Sequence, residues 1–168
     1  SRVSGKVIAA HAGRDCLVDR TRLETGTPSR PHESVVDGIM CKFFEWNEHA
    51  QDLEVFITCG IGGEHFFHRP TDQKYGVTNR KLIAHFQRLG DYCVLAPDAL
   101  GGICLPTIIR TQFANHGVPE GQIANDDIDT FGDTYADTGE AMWHSSARGK
   151  TPAEKAMRNL VVIYNRGS

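Results

Sequence analysis

His11 stands where an apolar run stops and small residues begin, a place from which a side chain could do chemistry. Val7 to Ala10 reads as a short apolar strand, and the chain then continues as His11-Ala12-Gly13-Arg14-Asp15-Cys16. Such a strand delivers polar side chains to the rim of a sheet, where a loop can hold a reacting group. Gly13 lets the backbone turn sharply or approach a ligand closely. Because one histidine is weak support for a site, spacing alone favours an ordinary turn in which His11 is only hydrogen-bonded.

A second candidate stretch, Cys59 to His65, follows another apolar run and contains three glycines. It is not a dinucleotide-binding loop, because no third glycine stands at the required place and no helix follows directly. A glycine-rich turn with free N–H groups could still hold an anion. His65 and His68 lie three residues apart and would face opposite ways on a strand, so we do not expect them to share a metal ion.

A third stretch, near the end of the chain, contains Gly149-Lys150-Thr151. A phosphate-binding P-loop would need a glycine five residues before Gly149, where His144 stands, so this is not a Walker motif. Ser146, Arg148 and Lys150 precede a short helical stretch and could nonetheless bind an anion.

Hydrophobic periodicity predicts the elements that must position these residues. Apolar residues recur at helical spacing in three segments, Glu33 to about Ala50, Asn79 to Leu89 and Ile103 to Asn115. A run rich in β-branched and aromatic residues predicts a strand at Leu53 to Cys59. Further strands are predicted at Tyr92 to Ala96, Ala141 to Ser146 and Leu160 to Tyr164. Residues 12 to 33 are predicted to be a long irregular connection. Asn125 to Asp133 lacks the ligand pattern of a calcium loop and is predicted to be a solvated acidic loop.

Composition is typical of one ordinary globular domain. Hydrophobic residues make up 40% and charged residues 23% of the 168 residues, and the net charge of −3 lacks the basic excess of a nucleic-acid-binding protein. We find no apolar run long enough to span a membrane and no signal-peptide core, which predicts a cytoplasmic protein.

Five cysteines without a C-x-x-C pair argue against a disulfide framework or a zinc ribbon. We expect Cys41 and Cys104, within apolar helical patterns, to be buried thiols.

Several of these stretches together resemble one family, the laccase-domain proteins, also called YfiH-like or polyphenol-oxidase-type. The family's His-Ala-Gly-Trp-Arg-Gly motif is similar to residues 11–16, and its Gly-Pro-x-Ile-Gly-Pro-Cys-Cys motif to residues 59–65. The family also has a helix that ends in Gly-Val-Pro, which resembles Gly117-Val118-Pro119 here. The family's Phe-Phe-Ser-Tyr-Arg-Arg segment, with Gly-Arg and a final apolar strand after it, resembles residues 143–148 and 157–163. Order and spacing match along nearly the whole chain, although each motif is degenerate.

The resemblance implies an α+β fold in which mixed β-sheets are packed between helices. It implies a single YfiH-like domain over residues 1–168 that lacks the family's N-terminal portion. In the family, an upstream histidine and cysteine complete a zinc or copper site with the histidine of the first motif. The ten residues before His11 contain neither, so only His11 carries over as a metal ligand. Glu64 and His65 replace the paired cysteines, and Arg14 replaces the tryptophan.

The resemblance also implies a function, phosphorolysis or hydrolysis of a purine nucleoside or another small anionic molecule. In that function His11 would be a general base or metal ligand, and Cys16 or Cys59 would replace the missing cysteine. Arg14 and Arg148 would hold phosphate or an anionic substrate. The remaining candidates for contacts with substrate are Gly62, His65 and His144.

An alternative is a non-catalytic binding or assembly module that keeps the fold but has lost the metal site. Sheet edges left open by missing strands could be covered by a second copy, so a homodimer is plausible under either hypothesis. Zinc or copper has weak support, because a catalytic metal needs about three protein ligands and the resemblance supplies one. We expect a small-molecule ligand and no nucleic acid or membrane as partner. We further expect His11, Cys59 and His65 to converge on one concave site, with His11 and Cys59 within roughly 12 Å of each other.

Overall fold

The computed structural model describes residues 1–143 and Thr151. That part of the chain contains four α-helices and four short strands. The helices are α1 (Arg20–Thr25), α2 (Val35–Glu45), α3 (Gly76–Gln87) and α4 (Leu105–Asn115), and the strands are β1 (Val55–Ile57), β2 (Val94–Leu95), β3 (Gly102–Ile103) and β4 (Ile123–Asn125). The predicted α+β class is therefore confirmed at this coarse level.

The described strands form two small sheets. β1 pairs with β4 in parallel, with Val55 opposite Ile123, and β2 pairs with β3 in antiparallel, with Leu95 opposite Gly102. Phe67 adds a single antiparallel bridge on the other side of Gly102. Helix α4 contacts both β1 and β4, while α3 contacts β2. Each described sheet is thus a purely parallel or purely antiparallel pair, with helices packed against it.

Helix α4 supplies much of the core that holds these elements together. Pro106 lies in its first turn, where a missing N–H costs nothing, and Gly117 follows its last turn with a left-handed φ of +88°. Ile108 is fully buried and Phe113 is 6% exposed. Burying one such side chain contributes about 1.5–3 kcal/mol. At its start, the N–H of Leu105 donates to the carbonyl of Ile61 at 3.2 Å, which joins the helix to the loop that follows β1.

The three helices predicted from periodicity are all present. Helix α2 begins after Ser34, whose side chain forms a capping box with Asp37, and it ends five residues before the predicted limit. Helix α3 begins at Gly76, three residues earlier than predicted. The expectation that Cys41 is a buried thiol is wrong, because Cys41 lies on the exposed side of α2.

Two predictions for the first 33 residues are wrong. Val7 to Ala10 is not a strand, since no other described segment pairs with it and the side chain of Val7 is 59% exposed. An apolar run becomes a strand only when a neighbour accepts its hydrogen bonds. Residues 12–33 are not wholly irregular, because they contain α1. Asp19 caps that helix by accepting the N–H of Arg22, and its carboxylate also binds Ser29.

The predicted strand segments are shorter in the structure or lie outside it. Leu53 to Cys59 contains β1, and Tyr92 to Ala96 contains the two residues of β2 after a one-turn 3-10 helix. Ala141 forms only an isolated bridge to Thr134. The rest of the segment predicted to end at Ser146, and all of Leu160 to Tyr164, lie outside the described residues.

The helices of residues 1–143 are too short to cross a bilayer. The longest, α3, has 12 residues, against about 20 for a membrane-spanning helix.

Candidate functional site

The loop after β1 and the segment after β4 lie side by side and form the candidate site. Gly60 makes a parallel bridge to Asp129, which continues the pairing of β1 with β4 beyond the strands. The carbonyl of Gly60 accepts both the N–H and the hydroxyl of Thr130, at 2.8 and 2.9 Å. The two segments are therefore fixed to each other where the parallel strands end, a common place for polar groups that act on a ligand.

His65 and Asp129 form an ion pair or hydrogen bond across this junction. His65 Nδ1 lies 2.8 Å from Asp129 Oδ2, although the two residues are 64 positions apart. Phe131 stacks on the imidazole, with ring centroids 5.0 Å apart and planes inclined by 26°. Gly132 lies against the edge of the ring, where a Cβ would approach Cε1 to 2.6 Å. We call His65 and Asp129, with their fixed geometry, the His65–Asp129 pair.

The electrostatics of the pair decide which imidazole nitrogen is available. Partial burial raises the pKa of Asp129, but the hydrogen bonds from His65 and from the N–H groups of Phe131 and Gly132 outweigh it, so that the pKa lies below the ordinary value. An ionised Asp129 can only accept, so Nδ1 of a neutral His65 carries the proton. Nε2 then presents its lone pair. No residue that the structure describes forms a hydrogen bond with Nε2, and 37% of the side chain is exposed.

Gly62, one of the residues predicted to contact substrate, lies at the same place. A Cβ on Gly62 would come within 3.3 Å of Asp129 Oδ2 and 3.1 Å of Glu64 Oε2. The backbone at Gly62 thus lies within reach of the pair, and the side chain of Glu64 adds a second carboxylate. That Gly62 and His65 contact a substrate stays a prediction.

Cys59, one of the predicted catalytic residues, immediately precedes the junction. Its φ of +56° lies in the left-handed region, which costs a residue with a side chain on the order of 1–3 kcal/mol. Its thiol is half-buried and lies 3.5 Å from the hydroxyl of Thr58, which also contacts the carboxylate of Asp126. Cys59 is therefore held at the end of β1, but its sulfur makes no hydrogen bond with His65.

Arg14, predicted to hold an anion, is engaged by groups of the protein. Its Nε and Nη2 donate to the carboxylate of Asp15 at 2.8 and 3.1 Å, and its Nη1 donates to Nε2 of His68 at 2.9 Å. The loop that contains His11 is thereby attached to the buried His68. An incoming anion would compete with Asp15 for this guanidinium.

His11 and Cys16 lie on that same loop. His11 is exposed, and its ring folds back over Gly13, where a Cβ would meet Nε2 at 2.8 Å. Cys16 is half-buried at the end of a one-turn 3-10 helix, Arg14–Cys16. Among the described residues, no hydrogen bond, ion pair or ring contact joins His11 to Cys59 or His65. Convergence of His11 with the other two stays a prediction.

A catalytic zinc or copper ion needs about three histidine, cysteine or carboxylate ligands at one place. Within residues 1–143, no three histidine, cysteine, aspartate or glutamate side chains come together as a metal ion would require. His11 therefore belongs to no such group among these residues, and they do not fit a catalytic ion of this kind. His144, Arg148 and the neighbouring Ser146 and Lys150 lie outside the described residues, and their roles stay predictions.

Sequence reasoning missed Asp129 and Phe131 as members of the site. Asp129 lies in the acidic stretch that was interpreted only as a solvated loop. The signal in the sequence was that this stretch follows a short apolar segment, Ile123–Asn125, which becomes β4. Had its parallel pairing with β1 been predicted, the ends of both strands would have been expected at one edge.

The chain matches no protein-family profile, no curated protein and no solved structure.

Proposed function

We propose that this chain is a divergent laccase-domain protein that acts on a small nucleoside-type or anionic ligand at the His65–Asp129 pair. The observation that carries the proposal is the 2.8 Å contact of His65 Nδ1 with Asp129, with the ring also stacked on Phe131. An imidazole held by a carboxylate at one nitrogen and open at the other is the arrangement of a general base. The resemblance to the laccase-domain family suggests the substrate class.

The chemistry of the proposed reaction follows from the roles of the two nitrogens. In hydrolysis, a water molecule would pass a proton to Nε2 of His65 as its oxygen attacks C1′ of the nucleoside. The C1′–N glycosidic bond would break, and the released base would take a proton from solvent. Asp129 would stabilise the imidazolium that forms. In phosphorolysis, phosphate replaces water as the nucleophile, and backbone N–H groups of the Gly60–Gly63 loop could help to hold the anion. We place the general base at His65 rather than His11 because His65 has a carboxylate partner at a ring nitrogen, whereas none of the described carboxylates pairs with His11.

The first test is base release from adenosine and inosine, with and without phosphate. General-base catalysis contributes roughly 10²- to 10⁴-fold to rate, so His65→Asn and Asp129→Asn should each lower kcat by at least about 100-fold. The matched control is His116→Asn. His116 Nε2 lies 2.7 Å from Asp37 Oδ1, so this variant removes a histidine–aspartate pair of similar geometry between α2 and α4.

Unchanged turnover in His65→Asn would contradict the role given to the pair. An equal loss in His116→Asn would show that lost folding, and not lost chemistry, explains the effect. If the wild-type protein releases no base from either nucleoside, nucleoside cleavage is excluded for these substrates, and the non-catalytic binding module becomes the better hypothesis.

A further inference from the structure

An open cleft of about 350 Å³ lies between α3 and residues 97–98, and it shares no lining residue with the His65–Asp129 pair. Its volume is at the lower end of the range for sites that bind small molecules. Ile83, which is 5% exposed, lines it together with Pro70, Ala84 and Pro97. The cleft therefore offers an apolar surface to one part of a small ligand.

Two opposite charges line the same cleft without pairing with each other. Arg80, on α3, and Asp98, on the facing loop, are both exposed. They form no ion pair, and no described residue forms a hydrogen bond or ion pair with the carboxylate of Asp98. Each charge thus remains available for a ligand group of the opposite sign.

The guanidinium of Arg80 is held in place by the backbone. Its Nη1 donates to the carbonyl of Pro70 at 2.6 Å, which leaves Nε and Nη2 without a described partner. Gly76 makes this contact possible, because a Cβ there would lie 2.6 Å from the Pro70 oxygen and 3.5 Å from Nη1. A positioned guanidinium loses less freedom when it binds a carboxylate than a free one does.

We propose that this cleft binds a small zwitterion with an apolar side chain, of the amino-acid class. Its carboxylate would bind Arg80, its ammonium group would bind Asp98, and its side chain would lie over Ile83. A simple anion would meet the repulsion of Asp98, and a simple amine would leave Arg80 unmatched, so the charge pattern favours a ligand with both signs. The inference is independent of the nucleoside chemistry proposed above.

The test compares leucine with two analogues that each lack one charge. Isopentylamine lacks the carboxylate, and 4-methylpentanoate lacks the ammonium group, while both keep the apolar part. Chemical-shift changes in the ¹H–¹⁵N spectrum report binding, and leucine should shift the amides of Ile83, Ala84 and Gln87 saturably. Each analogue should bind at least about tenfold more weakly, since each loses one charge-assisted contact.

Variants of the two charged residues locate the site. Asp98→Asn removes an exposed group without a described partner, so it should leave the fold intact and weaken leucine binding by about tenfold. Arg80→Gln should have at least that effect, with partial loss of the contact to Pro70. The matched controls are Asp91→Asn and Lys81→Gln, which remove exposed charges that do not line the cleft.

The following results would overturn the proposal. They are the absence of saturable shifts with leucine up to the solubility limit, equal binding of either analogue, and unchanged leucine affinity in a folded Asp98→Asn protein. A loss of binding in His65→Asn would also contradict it, because that residue is not part of the cleft.

Discussion

His68 is a buried imidazole with a partner at each nitrogen, and it attaches the His11 loop to the protein body. It is 5% exposed. Arg14 can only donate, so its Nη1 contact at 2.9 Å makes Nε2 the acceptor, and Nδ1 donates to the carbonyl of Phe66 at 3.2 Å. The contact with Arg14 requires the neutral ring, whereas the bond to Phe66 can form in either protonation state. Burial, together with the positive charge of Arg14, lowers the pKa of His68 to about 4.

This burial predicts that the protein loses stability as the pH falls below 6.5. Unfolded His68 would bind a proton near its ordinary pKa of 6.5, whereas folded His68 would bind it only near pH 4. Acid therefore favours the unfolded state within that window. The contribution to the free energy of unfolding should fall by about 2 kcal/mol between pH 7 and pH 5. Urea denaturation at the two pH values measures it.

His68→Gln is the variant that isolates this effect. Glutamine can still accept from Arg14 and donate to a carbonyl, but it does not titrate. His85, whose pKa is also lowered by burial, contributes in the same direction in both proteins. Between pH 7 and pH 5, the free energy of unfolding should therefore still fall in the variant, but by about 2 kcal/mol less than in the wild-type protein. Equal pH dependence in the two proteins would exclude His68 as the cause.

At the scale of elements, helices were predictable and strands largely were not. The spacing of Ile108, Ile109 and Phe113 marks α4 without any knowledge of the rest of the chain, because a helix satisfies its own backbone hydrogen bonds. Val7 to Ala10 has an equally apolar pattern but no strand partner in the described part of the structure. A strand depends on a distant segment, so its sequence cannot by itself establish that it forms.

The junction between the loop after β1 and helix α4 depends on Gly60. A Cβ there would overlap the ring of Pro106 in the first turn of α4. Gly60→Ala should therefore push the loop from the helix and lower the free energy of unfolding by roughly 1–3 kcal/mol, the usual cost of overpacking. Because Gly60 also pairs with Asp129, the proposed nucleoside cleavage should fall together with stability.

The matched control is Gly121→Ala, where a Cβ would meet no atom within 4 Å. Denaturation of both variants gives the comparison. The expected result is a loss in Gly60→Ala and a change within about 0.5 kcal/mol in Gly121→Ala. Similar values for the two variants would show that the loop moves freely away from Pro106 and does not fix the site.

At the scale of the whole molecule, the candidate site was only partly predictable from sequence. The glycines of residues 60–63 and the nearby His65 were identified from local spacing and resemblance. Asp129 could not be, because its pairing with His65 closes a loop of 64 residues that only the parallel contact of β1 with β4 brings together. Arg14 was predicted to bind an anion. The sequence could not show that its guanidinium already binds Asp15 and His68.

Ligand binding to the native state should stabilise the whole fold, and phosphate should do so more than zinc. A ligand present at about ten times its Kd adds ~1.4 kcal/mol, or roughly 3–6 °C in Tm for a chain of this size. An anion needs only a few N–H groups and cations that converge loosely, whereas zinc needs about three ligands held in fixed geometry. The described residues offer no such group of three. Phosphate should therefore raise Tm by about 2 °C or more, and zinc should raise it by less than about 1 °C.

Thermal unfolding with each ligand, at ionic strength matched with chloride, measures the difference. The decisive comparison is His11→Ala: a large stabilisation by zinc that this variant abolishes would establish a metal site at His11 and restore the metalloenzyme hypothesis.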